Sequence, residues 1–357
     1  MNKLNVVQGA RALAAALVVV SHGELWAAGF GPIGLPERDF GLLGSIGVMM
    51  FFTISGFIML HVHHDMFGMR DAPGTFLRRR IARIVPLYWL MTIAAAAIVV
   101  KNAQPLGVAD MVQSFLFIPS FGALGLMRPV LGVGWTLNYE MFFYALFAAA
   151  LFLRRGLALL CLTLAALLVF GQIINPVWNY HEPRNAIEFW TTPLLLPFLL
   201  GVGFAVARRR VPNLRVHRPA LLMACGIAAI AVIQTLLVPV GQSPGWWRVT
   251  LPVDSAIVAA FAILAPGTIA VPAWIVLIGD ASFSLYLVHP LLFGVAQHLG
   301  GVALGRVSPV LALVFYMGLS IVAAVALYFA VERPLTRRCA QFLSGLGRKR
   351  EAQASAA

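Results

Sequence analysis

The sequence predicts an all-α integral membrane protein with about ten transmembrane helices and both termini in the cytoplasm. Three observations lead there. Sixty-one per cent of the 357 residues are hydrophobic, only 11% are charged, and the mean hydropathy is +0.88. A soluble domain is roughly 45–50% apolar and about 25% charged, and a water-soluble fold of this size could not hide so much apolar surface. The apolar residues fall into stretches of bilayer-spanning length, about 20 residues each. The basic residues alternate between rich and poor loops. Together these exclude an ordinary soluble enzyme, a nucleic-acid reader and a disordered chain.

The ten stretches are 5–24, 42–61, 84–100, 135–153, 156–174, 190–207, 219–238, 252–270, 274–297 and 309–331. Segment 109–121 is apolar but short and reads as interfacial or re-entrant. With the N-terminus inside, 19 of the 26 Lys and Arg lie on the cytoplasmic side and six outside, and Arg11 lies within the first span. That bias sets the orientation and accounts for the net charge of +13 as topology and attraction to anionic lipid, with no nucleic-acid partner. Lys3 and Arg11 before the apolar run 12–20 also resemble a signal peptide. Cleavage would leave an odd number of spans beside a basic C-terminus, so an uncleaved anchor is expected. Residues 1–332 read as one transmembrane domain and 333–357 as a disordered basic tail. Cys161, Cys225 and Cys339 cannot all pair and lack metal-type spacing.

Ionisable groups inside spans cost about 2.5–3.5 kcal/mol on insertion scales and mark function by default. Here they are Arg11, His22, Glu140, Asp254, Asp280 and His289. Arg11 and His22 are eleven residues apart, which returns to the same helix face about 16 Å further along the axis. One face thus carries a cation at one depth and a titratable base at another. Alternatively, Arg11 snorkels inward and His22 caps the span in interfacial water. Glu140 lies five residues after Trp135, an interfacial anchor, at a depth His22 could share. A His–Glu pair would orient the imidazole and neutralise the acid. Asn138 adds hydrogen-bonding capacity there.

Ser282, Tyr286 and His289 are spaced i, i+4, i+7 and form a polar stripe, open to substrate binding or to inter-helix hydrogen bonding. Asp280 points away from His289 on a regular helix. Gly44, Gly47, Ser55 and Gly56 in the second span read as close helix packing. Arg80 and Arg83, three apart, are suited to bind phosphate bidentately at the cytoplasmic mouth. Plain positive-inside bias explains them equally well.

These segments, taken in order, resemble the acyltransferase family 3 of membrane proteins, which includes bacterial O-antigen and exopolysaccharide acetyltransferases. The resemblance rests on QGARALAAALVVVSH, GVMMFFTISGFIM, RRRIARIVPLYW, GWTLNYEMFFY, IGDASFSLYLVHP and FAVERP. Members often carry a polar or acidic residue where this chain has Met49 or Met50. Only the segment 333–357 follows the last span, so the expected likeness is to members without a fused esterase-like domain. The resemblance implies no permanently bound cofactor, acetyl-CoA or another acyl-CoA as co-substrate, and a glycan or lipid-linked sugar as acceptor, at the bacterial inner membrane. In that scheme His22 is the base or acyl carrier and Glu140 its orienting partner, with Arg11, Asn138 and Tyr286 as alternative oxyanion stabilisers. Arg80 and Arg83 take the donor, and Asn138, Ser282, Tyr286 and His289 line the acceptor. The rival readings are a proton-coupled transporter, a lipid-linked sugar flippase, and a non-catalytic assembly or acyl-lipid-sensing protein.

Overall fold

The computed structural model describes residues 5–31, 37–119, 128–175, 183, 185–211, 225–226, 228 and 270–354, the side chains of 37–40 and 346–354 excepted. These residues are helical and include no strand. The helices are α1 Asn5–Ala27, α2 Glu37–His63, α3 Ala72–Lys101, α4 Val108–Phe115, α5 Trp135–Leu151, α6 Gly156–Ile174, α7 Ala186–Trp190 and α8 Leu196–Arg210. After them come α9 Ala273–Asp280, α10 Ser282–Val288, α11 Phe293–Ala296, α12 Val302–Val307, α13 Pro309–Leu327 and α14 Arg333–Ala354.

Among the described residues, seven helical stretches are long and apolar enough to cross a membrane: Asn5–Phe30, Gly41–Met66, Ala72–Lys101, Gly156–Ile174, Ala186–Arg210, Ser282–Val307 and Pro309–Gly345. Their outward faces remain apolar. Leu162, Ile173 and Val322 are 67, 73 and 68% exposed, which water would disfavour and lipid tails accept. This is a multi-pass membrane protein. The expected fourth span coincides with α5, at 17 residues the short end of spanning length. The seventh and eighth expected spans, with Asp254, lie almost wholly outside the described residues.

Two expectations are corrected and one is extended. The expected third span, 84–100, lies within α3, which starts earlier, at Ala72, and carries the whole arginine run. Scanning for apolar residues excludes arginines, yet nothing breaks the helix there. Pro73 sits in the first turn, where a missing N–H is harmless, and Pro86 is accommodated inside, as membrane helices allow. The ninth span is not one regular helix. It breaks at Ala281, turns into a 3₁₀ segment at His289–Leu292 where Pro290 removes a donor, and kinks again through Gly300, whose φ is 105°. The segment after 332, expected as a disordered tail, continues as α14.

The chain divides into two compact units. The first comprises Met1–His64 and Cys161–Ala324, the second Asp65–Leu160 and Val325–Ala357. In the first, α1 packs on α2, α9 and α10, and α2 packs on α8. The small residues of α2 do serve close approach. Gly47 lies against the backbone of Ala14 and the side chain of Val18, and Gly56 against the backbone of Phe198. Ala15 and Val19 of α1 join Leu285, Ala296, Tyr316 and Ala324 in one buried cluster, lined by Trp26, Phe51 and Phe293. In the second unit α3 packs on α4, α5 and α14. Its aromatic interior includes Phe76, Tyr144 and Phe147, with Phe76 edge-on to Tyr144 at 5.8 Å.

Candidate active site

Arg11 and His22 lie on one uninterrupted helix, α1, as their spacing requires, and both are partly exposed. Two turns of this helix are clamped from opposite sides. Gly47 of α2 approaches Ala14, and Leu285 and Tyr316 pack on Ala15 and Val19. His22 thus projects from a stretch whose backbone is held on both flanks.

The partner of His22 within its own unit is His289. The rings stack with centroids 5.1 Å apart and planes 15° from parallel, and Nδ1 of His22 lies 2.8 Å from Nε2 of His289. His289 is fully buried. Its Nδ1 lies 3.0 Å from the carbonyl oxygen of Leu285, and the hydroxyl of Tyr316 donates to its own carbonyl at 2.7 Å. Tyr286 meets the same ring edge-on at 6.0 Å and meets Phe51 in the same way. The stripe Ser282, Tyr286, His289 therefore does share a face, although the last member sits on a 3₁₀ turn. Ser282 is fully buried, and its hydroxyl has no hydrogen-bond partner among the described residues. Asp280 is bound elsewhere: Gln8 Nε2 donates to its Oδ1 at 2.8 Å.

Glu140, the acid expected to orient His22, belongs to the second unit. Within its unit, Glu140 accepts a hydrogen bond from Tyr144, one turn further along α5. The Tyr144 ring lies beneath Arg80, whose guanidinium carbon is 5.7 Å from that centroid and 5.6 Å from the centroid of Phe76. The charges of Glu140 and Arg83 both act on Arg80. Arg80 and Arg83 lie on α3, three residues apart as expected. Arg80 turns into an aromatic cradle beside an acid, because α3 starts early enough to place Phe76 one turn before it. Asn138 is buried on α5, with Oδ1 unsatisfied among the described residues.

Sequence reasoning missed the imidazole pair, the Gln8–Asp280 bond and the Tyr144–Glu140 bond. The last was visible, since Tyr144 follows Glu140 by four residues. Gln8 is not ionisable, so charge within a span does not single it out. A hint of the imidazole pair was also present. Spans one and nine run in the same direction on the expected topology, and both histidines lie near their far ends.

Two hydrogen-bonded imidazoles on facing helices can hold, accept and pass on a proton, and a cation on the same face of α1 can steady negative charge. The comparisons agree with that chemistry. The family model described as an acyltransferase domain matches residues 4–329. The chain is 33% identical over 306 residues to the exopolysaccharide production protein ExoZ of Rhizobium meliloti (strain 1021), covering 83% of this chain and 90% of that one. It is 28% identical over 339 residues to the acyltransferase MdmB of Streptomyces mycarofaciens, covering 83 and 81%. No solved structure gives a significant match. The rival readings as a carrier or a non-catalytic protein give way to a transferase, and the chain belongs to the acyltransferase family 3 of membrane proteins.

Proposed function

We propose that the protein moves an acyl group, acetyl in the simplest case, from cytoplasmic acyl-CoA to a sugar hydroxyl of a cell-surface polysaccharide or lipid-linked glycan. One observation carries this reading: His22 is a partly exposed imidazole within a membrane helix, hydrogen-bonded to a fully buried second imidazole. Ester formation from a thioester requires a base for the attacking hydroxyl, and a held histidine is the side chain suited to neutral pH. The oxygen–carbon bond forms as the carbon–sulfur bond breaks, and the proton taken by His22 passes to the departing thiolate. Arg11, on the same face but about three turns away, is too distant to touch the developing oxyanion and supplies positive charge for an anionic part of the donor.

Arg83 on α3 suits the phosphates of the donor, while Arg80, held over Phe76 and Tyr144, orients the acid-bearing helix beside it. Ser282, in the same unit as His22, offers an unsatisfied hydroxyl for an acceptor. The name of the relative ExoZ supports a polysaccharide acceptor. Ten spans, cytoplasmic termini and a bacterial inner-membrane location complete the proposal, supported by the basic-residue bias.

The test is acyl transfer by purified protein in detergent, supplied with acetyl-CoA and candidate glycans. His22→Ala should bind donor normally and lose about 10²–10⁴-fold in turnover, the usual cost of a positioned base. Turnover near the wild-type value in His22→Ala would remove His22 from the chemistry.

A further inference from the structure

We infer that His289 is a positioning residue that locks His22 in the tautomer protonated on Nδ1, making Nε2 of His22 its basic atom. This rests on the proposed role of His22 as the base.

The chain of donors and acceptors starts at a carbonyl. The Leu285 oxygen can only accept, and it lies 3.0 Å from Nδ1 of His289, so that nitrogen carries the proton. In the neutral ring, Nε2 of His289 is then an acceptor. The atom 2.8 Å from it is Nδ1 of His22, which must donate. A neutral imidazole has one N–H, so the lone pair of His22 resides on Nε2. One backbone carbonyl therefore sets the protonation pattern of two rings.

The anchoring of His289 suits this task. Its backbone N–H also donates to the Leu285 oxygen, which has a second lone pair to offer. Pro290 has no N–H, so the Tyr286 carbonyl lacks its usual helical donor. Tyr316 holds the carbonyl of His289 from a different helix at 2.7 Å. The ring that is locked is fully buried, and the ring it directs is the partly exposed one. When His22 takes the hydroxyl proton on Nε2, its Nδ1–H still donates to His289, so the cation keeps its acceptor until the proton passes to the thiolate.

The sequence motif that places Tyr, His and Pro together thus has a stereochemical reason. A polar stripe serving only helix cohesion would need neither the ordered tautomers nor a proline after the histidine.

Two substitutions of the full-length protein in micelles separate these readings. Glutamine at 289 places an amide oxygen near the position of Nε2, within reach of His22. Asparagine reaches only the position of Nδ1. His289→Gln should keep kcat within about tenfold of the wild type. His289→Asn should lower kcat by about 10²–10⁴-fold, the range for a lost or misdirected base, with KM for acetyl-CoA unchanged. Equal kcat values in the two variants would overturn the proposal. ¹⁵N-histidine NMR of the unsubstituted protein needs neither variant to fold. The resonances lost in His22→Ala should show Nδ1 protonated and Nε2 bare, and the opposite tautomer would overturn the proposal. An active His22→Ala would defeat the base itself. An inactive His22→Ala with a fully active His289→Asn would defeat only the positioning role.

Discussion

Gly47→Ala is a one-methyl change whose cost follows from geometry. A Cβ at Gly47 would lie 2.5 Å from the backbone oxygen of Ala14, 2.9 Å from Cγ2 of Val18 and 3.3 Å from Cβ of Leu17. Carbon–oxygen contacts between packed backbones are about 3.3–3.6 Å, so α1 and α2 must separate by about 0.8 Å. The close neighbour is backbone, which cannot rotate away. Overpacking of this kind costs about 1–3 kcal/mol. The displaced helix is the one bearing Arg11 and His22, and misplacing a reacting group by about 1 Å can cost about 10²-fold in rate. Gly203→Ala provides the opposite case. It lies in α8 with nothing within 4 Å of the added methyl, so helix propensity alone acts and should add up to about 1 kcal/mol of stability. Denaturant unfolding in micelles and acyl-transfer turnover, measured on both variants, check the pair. Wild-type stability and turnover in Gly47→Ala would refute the reasoning, as would a Gly203→Ala as destabilised as Gly47→Ala.

Tyr144→Phe keeps the ring beneath Arg80 but removes the bond to Glu140, and should cost about 1.5–3 kcal/mol, typical for a hydrogen bond to a charged group. A double-mutant cycle with Glu140→Ala, which removes the acceptor, should show most of that value as coupling, and simple additivity would dismiss the bond. Arg83→Ala should weaken acetyl-CoA binding without changing unfolding, whereas Arg78→Ala, whose guanidinium already donates to Thr75, should leave affinity intact; equal losses, read by isothermal titration, would point to bulk charge. A reporter fused after residue 350 should read cytoplasmic, and a periplasmic signal would break the even-span topology.

The sequence by itself determined the membrane setting, the helical class and the family. The first two follow from one-dimensional quantities, apolar run length against a fixed bilayer thickness and overall composition, and the family follows from the order of its motifs; a helical period that puts Arg11 and His22 on one face makes them candidates for the chemistry. Even the close approach of α2 was legible, since glycine and serine among large apolar residues leave little other reading. Tertiary structure decided who partners whom. His22 meets His289 because α1 and α10 face each other across Ala15, Val19 and Leu285, and residue spacing along one helix carries no information about which helix lies opposite. Arg80 turns to Phe76 and Tyr144 because α3 begins at Ala72, which apolar scanning hides by treating arginines as loop. The break at Ala281 and the 3₁₀ turn at His289 set the angle at which the second imidazole is presented. That angle depends on which backbone carbonyls find donors in the folded bundle, a balance that only the assembled helices strike.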